Sequence, residues 1–218
     1  MGTFVELAHV LEDRMPVYPG LPQPRIDALL THEASRDRYQ GKAEFYLGHL
    51  DVPCNVGTYM DVPFHRFPDR PDLSAVGLDA VAGLPGVVVD APPDPGPIAP
   101  LADDGSFRGA AVLVRTGWSE RWGTDRYWEP EPFLGEAAVD ALVRAAPALV
   151  GVDVWNIDDP EDLARPAHTR LLDSGILIVE HLTNLEALPA DGFRFFAVPL
   201  RIVRGASCPV RAFAELES

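Results

Sequence analysis

Proline and glycine interrupt this chain so often that few stretches are free to run on as a long helix: 22 prolines and 18 glycines stand among 218 residues. Proline fixes φ and lacks the N–H that a helix or sheet ladder would use. Between the interruptions lie short β-rich runs at residues 43–52, 86–90, 110–115, 148–153, 176–180 and 194–203, which predict a sheet-centred fold. An amphipathic helix is expected between Gly135 and Ala146, with Ala138, Leu142 and Ala145 or Ala146 on one face and Pro147 beyond its end. A second, shorter helix is expected after Pro166, carrying His168, Leu171 and Leu172 and stopped by Gly175. Residues 90–105, with Pro92, Pro93, Pro95, Pro97 and Pro100, read as a rigid surface loop, since the runs on either side suit one sheet. The expectation is an α/β chain forming a single domain over residues 1–218 around a mixed central sheet.

A hydrophobic share of 47% suits a globular protein with a sizeable core. The formal charge of −15, from 33 acidic against 18 basic residues, argues against nucleic acid or an anionic membrane as partner, and leaves small neutral or cationic substrates. Cys54 and Cys208 are too few for a disulfide framework; Cys54, beside the motif, reads either as a nucleophile or, with no neighbour to depress its pKa, more readily as a buried, inert thiol. No secretory leader is evident, nor any apolar stretch of the roughly 20 residues that cross a bilayer. Cytoplasmic residence is the expectation.

The run Asn55-Val56-Gly57-Thr58-Tyr59-Met60-Asp61-Val62-Pro63-Phe64-His65 carries the chemistry. Asp61 and His65 are four residues apart with the rigid Pro63 between them, so both side chains can be aimed into one pocket. An isolated His-Asp pair is ordinarily a structural hydrogen bond, and further signals are needed before this one is read as a site.

Those signals come from a resemblance. The run resembles the H-x-G-T-H-x-D-x-P-x-H motif of the cyclase superfamily, which includes kynurenine formamidases, isatin hydrolases and polyketide cyclases, with Asn55 and Tyr59 standing where the family has histidines. The segments Met15–Gly20, Val112–Glu120, His168–Leu172, Ile176–Leu185, Pro199–Ile202 and Ser207–Ala212 are similar to further parts of that family. The resemblance implies a swivelling β/β/α fold. It also implies that Asp61, His65, His168 and Glu180 meet in one pocket, where family members hold a second metal, while the first metal's set keeps only Asp61. An Asn amide oxygen and a Tyr phenol with an ordinary pKa near ~10 are poor replacements for imidazole. Two cofactor readings follow: none, or a single divalent ion, zinc or manganese, on those four residues. Without a metal, His65 or His168 would move protons while Asp61 or Glu180 fixes the imidazole tautomer.

Tyr59 reads either as a core aromatic or as a donor to a substrate oxygen, and Asn55 as a substrate contact. Trp118 and Trp122, following a strand, are candidates for a hydrophobic substrate wall, though core packing is the commoner fate of tryptophan. His9, His32, His49 and His181 read as surface or core residues. The leading functional expectation is acid–base ring closure or rearrangement of a polyketide-like secondary metabolite, of the kind found in antibiotic biosynthesis. Its rivals are a single-metal hydrolase opening an amide or lactam of formylkynurenine or isatin type, and an inactive homologue that binds a small molecule or a subunit. A homodimer or higher homo-oligomer is the expected assembly.

Overall fold

Most of the apolar runs become strands in the computed structural model, which describes residues 2–102 and 105–217. In chain order these are β1 (Thr3–Glu6), β2 (Arg25–Leu30), β3 (Leu47–Asp51), β4 (Tyr59–Asp61), β5 (Ala82–Asp90), β6 (Gly96–Ile98), β7 (Ala111–Arg115), β8 (Pro132–Leu134), β9 (Leu149–Val152), β10 (Leu177–Glu180), β11 (Phe193–Phe196), β12 (Ser207–Pro209) and β13 (Phe213–Leu216). Nine of them form one mixed sheet in the order β1-β13-β11-β5-β7-β9-β10-β4-β12. Its centre, β5-β7-β9-β10, is parallel, and antiparallel pairs close both ends. Parallel strands are buried on both faces and so read as continuous apolar runs. Along β7, Ala111 and Leu113 join one apolar cluster while Val112 and Val114 join the other.

The second cluster is roofed by α2 (Glu136–Ala145) and α3 (Pro166–Asp173), and a third helix, α1 (His32–Arg38), lies in the N-terminal part. Ala138, Val139 and Leu142 form the buried stripe of α2, which ends on Ala146 in the left-handed region at φ 55°. Helix α3 begins with Pro166 at its first position and stops at Ser174, just before Gly175. Both helices match the sequence expectation.

Several runs fold differently. Of residues 43–52 only Leu47–Asp51 is a strand, and it pairs with β2 alone, as a two-stranded arm outside the main sheet. The run at 194–203 leaves the sheet after Phe196; Pro199 has no N–H for a ladder, and Val198, Leu200, Ile202 and Val203 are exposed. The proline-rich loop contributes β6, which pairs with β8 in parallel; its Asp103 and Asp104 lie outside the described residues. Cys54 is exposed rather than buried, whereas Cys208 is buried. Among the described residues no helix is long and apolar enough to cross a membrane.

Candidate active site

The site is built by strand register. On β4, residues alternate faces, so Tyr59 and Asp61 share one side while Met60 enters the core on the other. Tyr59 lies directly opposite Glu180 on β10, and Asp61 directly opposite Ser207 on β12. Facing residues of an antiparallel pair interact. The Tyr59 hydroxyl donates to Glu180 Oε2, and Ser207 Oγ donates to Asp61 Oδ1. The Asn55 amide donates to the same Asp61 oxygen at 3.3 Å and to Ser207 Oγ at 3.2 Å. Gly57, two residues on, holds φ at +61° where a side chain would be strained, and Pro63 starts the short 3₁₀ turn that carries His65. His65 Nδ1 lies 3.2 Å from Ser207 Oγ and 3.8 Å from Asp61 Oδ1.

His168 arrives from α3. Asp158 accepts from the backbone N–H groups of Ala167 (2.6 Å) and His168 (3.0 Å) at the start of that helix, and its Oδ2 lies 2.6 Å from His168 Nδ1. This clamp leaves His168 Nε2 facing Asp61 Oδ2 at 3.6 Å and Glu180 Oε1 at 3.8 Å. The Glu180 Oε1 atom also accepts from the Ile157 N–H at 2.7 Å. All four residues expected to converge therefore do so, although two come from the N-terminal third of the chain and two from the last quarter.

Electrostatics follow from this enclosure. Burial alone would lower the His168 imidazole, but its hydrogen bond to Asp158 and the nearby carboxylates of Asp61 and Glu180 outweigh that and lift it to about 10. Burial raises Glu180 to about 7, with His168 opposing and the Asp61 charge adding to the rise. Asp61 is fully buried, yet His168 and His65 hold its carboxyl below the usual range. Burial and the charges of Glu180 and Asp61 push the Tyr59 phenol well above its ordinary value, so it remains a proton donor.

The residues present fit one metal ion. Asp61 Oδ2 is buried and has no hydrogen-bond partner, because His168 Nε2 stops short at 3.6 Å; a cation between them would satisfy both. Asp61, His65 and His168 offer ligand atoms all within 4.8 Å of one another, a two-nitrogen, one-oxygen set of the sort that leaves catalytic zinc an open position. Asp158 on His168 Nδ1 is the outer carboxylate that fixes a ligating imidazole. Glu180, expected among the ligands, has both oxygens engaged by Tyr59 and the Ile157 N–H and stands beside the set. Asn55 and Tyr59 supply N–H and O–H to Asp61 and Glu180, so hydrogen bonds now meet carboxylates where the resemblance places a first cation.

A cavity of about 270 Å³ opens over these groups, lined by Tyr18, Leu21, Asn55, Tyr59, His65, Arg66, Asn156, Arg165, His168 and Glu180. Trp118 and Trp122 do not reach it. Trp118 is 1% exposed, donates from Nε1 to the Tyr127 carbonyl and lies under Arg121; Trp122 stacks on His9. They follow β7, at the centre of the sheet, while the cavity opens over β4 and β10. Tyr59 is neither plain core nor a free donor, since its hydroxyl is committed to Glu180. His181, just past β10, turns at φ 58° and packs behind the Tyr59 ring at 5.3 Å. Asp158, Ser207, Asn156 and Arg165 went unsingled in the sequence; of these only Ser207 had a signal, its place in a segment resembling the family.

The model of the family described as "Putative cyclase" matches residues 5–159. A kynurenine formamidase of Salinibacter ruber is 31% identical over 179 residues, 80% of this chain and 82% of its own. Among solved structures, isatin hydrolase A from Labrenzia aggregata, bound to benzyl benzoate, superposes with a TM-score of 0.84 at 23% identity, covering 100% of this chain and 94% of that one. A protein described as a potential metal-dependent hydrolase with cyclase activity gives 0.78 at 20% identity, covering 100% of both chains. These two are likenesses of fold.

Proposed function

Because this chain belongs to the cyclase family, we propose that it hydrolyses a small amide or lactam, of the formamide or isatin type, with one divalent ion held by Asp61, His65 and His168. The observation that carries this reading is the convergence of those three ligand atoms within 4.8 Å beside a buried Asp61 oxygen that has no partner. The names of the relatives support hydrolysis, and ring closure of a polyketide-like metabolite draws no such support from them.

A bound zinc or manganese ion would supply a Lewis acid and an acidified water. The protein's own groups do the rest. Asp158 fixes the His168 tautomer with Nε2 towards Asp61. Ser207 and Asn55 hold Asp61 by its other oxygen. Glu180, at the cavity wall and paired with the Tyr59 hydroxyl, is placed to take a proton from the attacking water and return it to the leaving nitrogen. Tyr18 and Leu21 give the cavity an apolar wall for the ring of the substrate.

The test is turnover of N-formylaniline and of isatin by the purified protein, loaded with zinc or manganese and again after chelation. Ring opening or deformylation that requires metal and is abolished by His168→Ala is expected. No turnover of either compound with either metal, or turnover indifferent to chelation, overturns the proposal.

A further inference from the structure

One guanidinium lining this cavity has no ion pair and no side-chain hydrogen bond among the described residues. Asp61 is met by Ser207 and Asn55, Glu180 by Tyr59 and the Ile157 N–H, and Arg66 donates from Nε to Thr169 Oγ1 at 3.0 Å. Arg165 also lines the cavity, and among the described residues no carboxylate pairs with its guanidinium, whose Nη1, turned away from the open space, has no hydrogen-bond partner either. Glu131 is close enough to feel the Arg165 charge, but both its carboxyl oxygens are likewise unpartnered, so the two groups do not pair. Leaving a buried donor unmade is costly, more so when it is charged.

The backbone at Arg165 points the same way. It holds φ 49° and ψ 60°, the left-handed region, as the residue immediately before Pro166. Non-glycine residues seldom sit there, and a following proline narrows the choice further. Such strain persists only where the surroundings fix it, and it gathers at binding sites. The neighbouring Tyr18 and Leu21 are apolar, and Asn156 adds an amide.

We infer that Arg165 is the anion-recognition residue of this cavity and that its ligand is an aryl carboxylate: a planar apolar ring against Tyr18 and Leu21 whose carboxylate pairs with the guanidinium. A chain of charge −15 repels anions in general, so admitting one takes a local cation, and the planar fork of arginine suits a carboxylate better than lysine does. The inference deepens the hydrolytic reading and rests on it only for the bond that is broken: the substrate becomes an aromatic acid that also carries the amide or lactam.

Calorimetric titration with benzoate and with its neutral counterpart benzamide tests this, on zinc-loaded and on chelated protein, without any turnover. The wild type should bind benzoate at least tenfold more tightly than benzamide in both states. Arg165→Gln should abolish that preference while leaving benzamide binding nearly unchanged and the melting temperature no lower, since it removes an unpartnered buried charge, and Arg165→Lys should keep part of the preference. Equal affinity for the two compounds, binding of neither, or a preference that survives Arg165→Gln overturns the inference. A protein that hydrolyses neither N-formylaniline nor isatin but keeps an Arg165-dependent preference for benzoate loses the reaction and retains the anion site.

Discussion

At the scale of single residues, Tyr59 separates this chain most sharply from the motif it resembles. Its ring is 6% exposed and its hydroxyl donates to a fully buried carboxylate. Tyr59→Phe keeps the ring and strips the donor, leaving a buried Glu180 oxygen unpaired. The expected cost is about 1–3 kcal/mol of stability in urea unfolding, where a residue that merely packs would lose almost nothing. Glu131 gives a second test. It is 2% exposed with both carboxyl oxygens unpartnered, and burial raises it to about 9 from an ordinary 4.5. The native state therefore keeps the proton that the unfolded chain releases. Stability from this group is complete below pH 4.5 and is lost as pH rises towards 9. Glu131→Gln imitates the neutral acid, and should gain on the wild type by on the order of 4 kcal/mol between pH 5 and pH 8. A stability difference that is the same at both pH values would count against a buried, protonated Glu131. At this scale the motif made Asp61 and His65 legible and the resemblance brought in His168 and Glu180. The pairing of Tyr59 with Glu180 was not legible, because it depends on which strands are neighbours.

Among the elements, α3 shows how a helix end is tied to the chemistry. Its length is 8 residues, too short to persist by propensity, and Arg165 caps it with no side-chain hydrogen bond. Asp158 instead takes the first free N–H groups and the His168 ring together. Asp158→Ala should thus act twice, fraying the helix start and freeing the imidazole to rotate. Zinc affinity measured against a competing chelator should fall by about 10–100-fold; an unchanged affinity would mean that the clamp does not set the ligand. Pro166 and Gly175 announced the boundaries of α3 in the sequence, as Gly135 and Pro147 did for α2. Asp158 could not be picked out from its neighbour Asp159, since only tertiary placement distinguishes the two. Strand β3 was legible within the run at 43–52, but β2 and the arm's place outside the main sheet were not: its apolar residues, such as Leu29, Leu47 and Leu50, are exposed, and a run of such residues reads as buried sheet.

For the molecule as a whole, the sheet joins segments from both ends of the chain, and β4 is held between β10 and β12 by ladders on both sides. Asp61 and His168 are thereby brought together only in the folded state. An ion that binds Asp61, His65 and His168 binds the native chain in preference to the unfolded one, and its free energy of binding adds to stability as RT ln(1 + [L]/Kd). At a hundredfold excess over Kd that amounts to about 2.7 kcal/mol. For a domain of this size each kcal/mol moves the melting point by roughly 2–4 °C. Zinc should therefore raise the melting temperature by roughly 5–10 °C, and His168→Ala should erase the response while the fold persists. The motif that the chain resembles has histidines at the positions of Asn55 and Tyr59, so Asn55→His with Tyr59→His offers a comparison from the other direction: that variant should take up more metal per chain than the wild type. A melting temperature indifferent to zinc and manganese in the wild type, together with no bound metal in the purified protein, would leave the unpartnered oxygen of Asp61 to water and remove the metal from the mechanism.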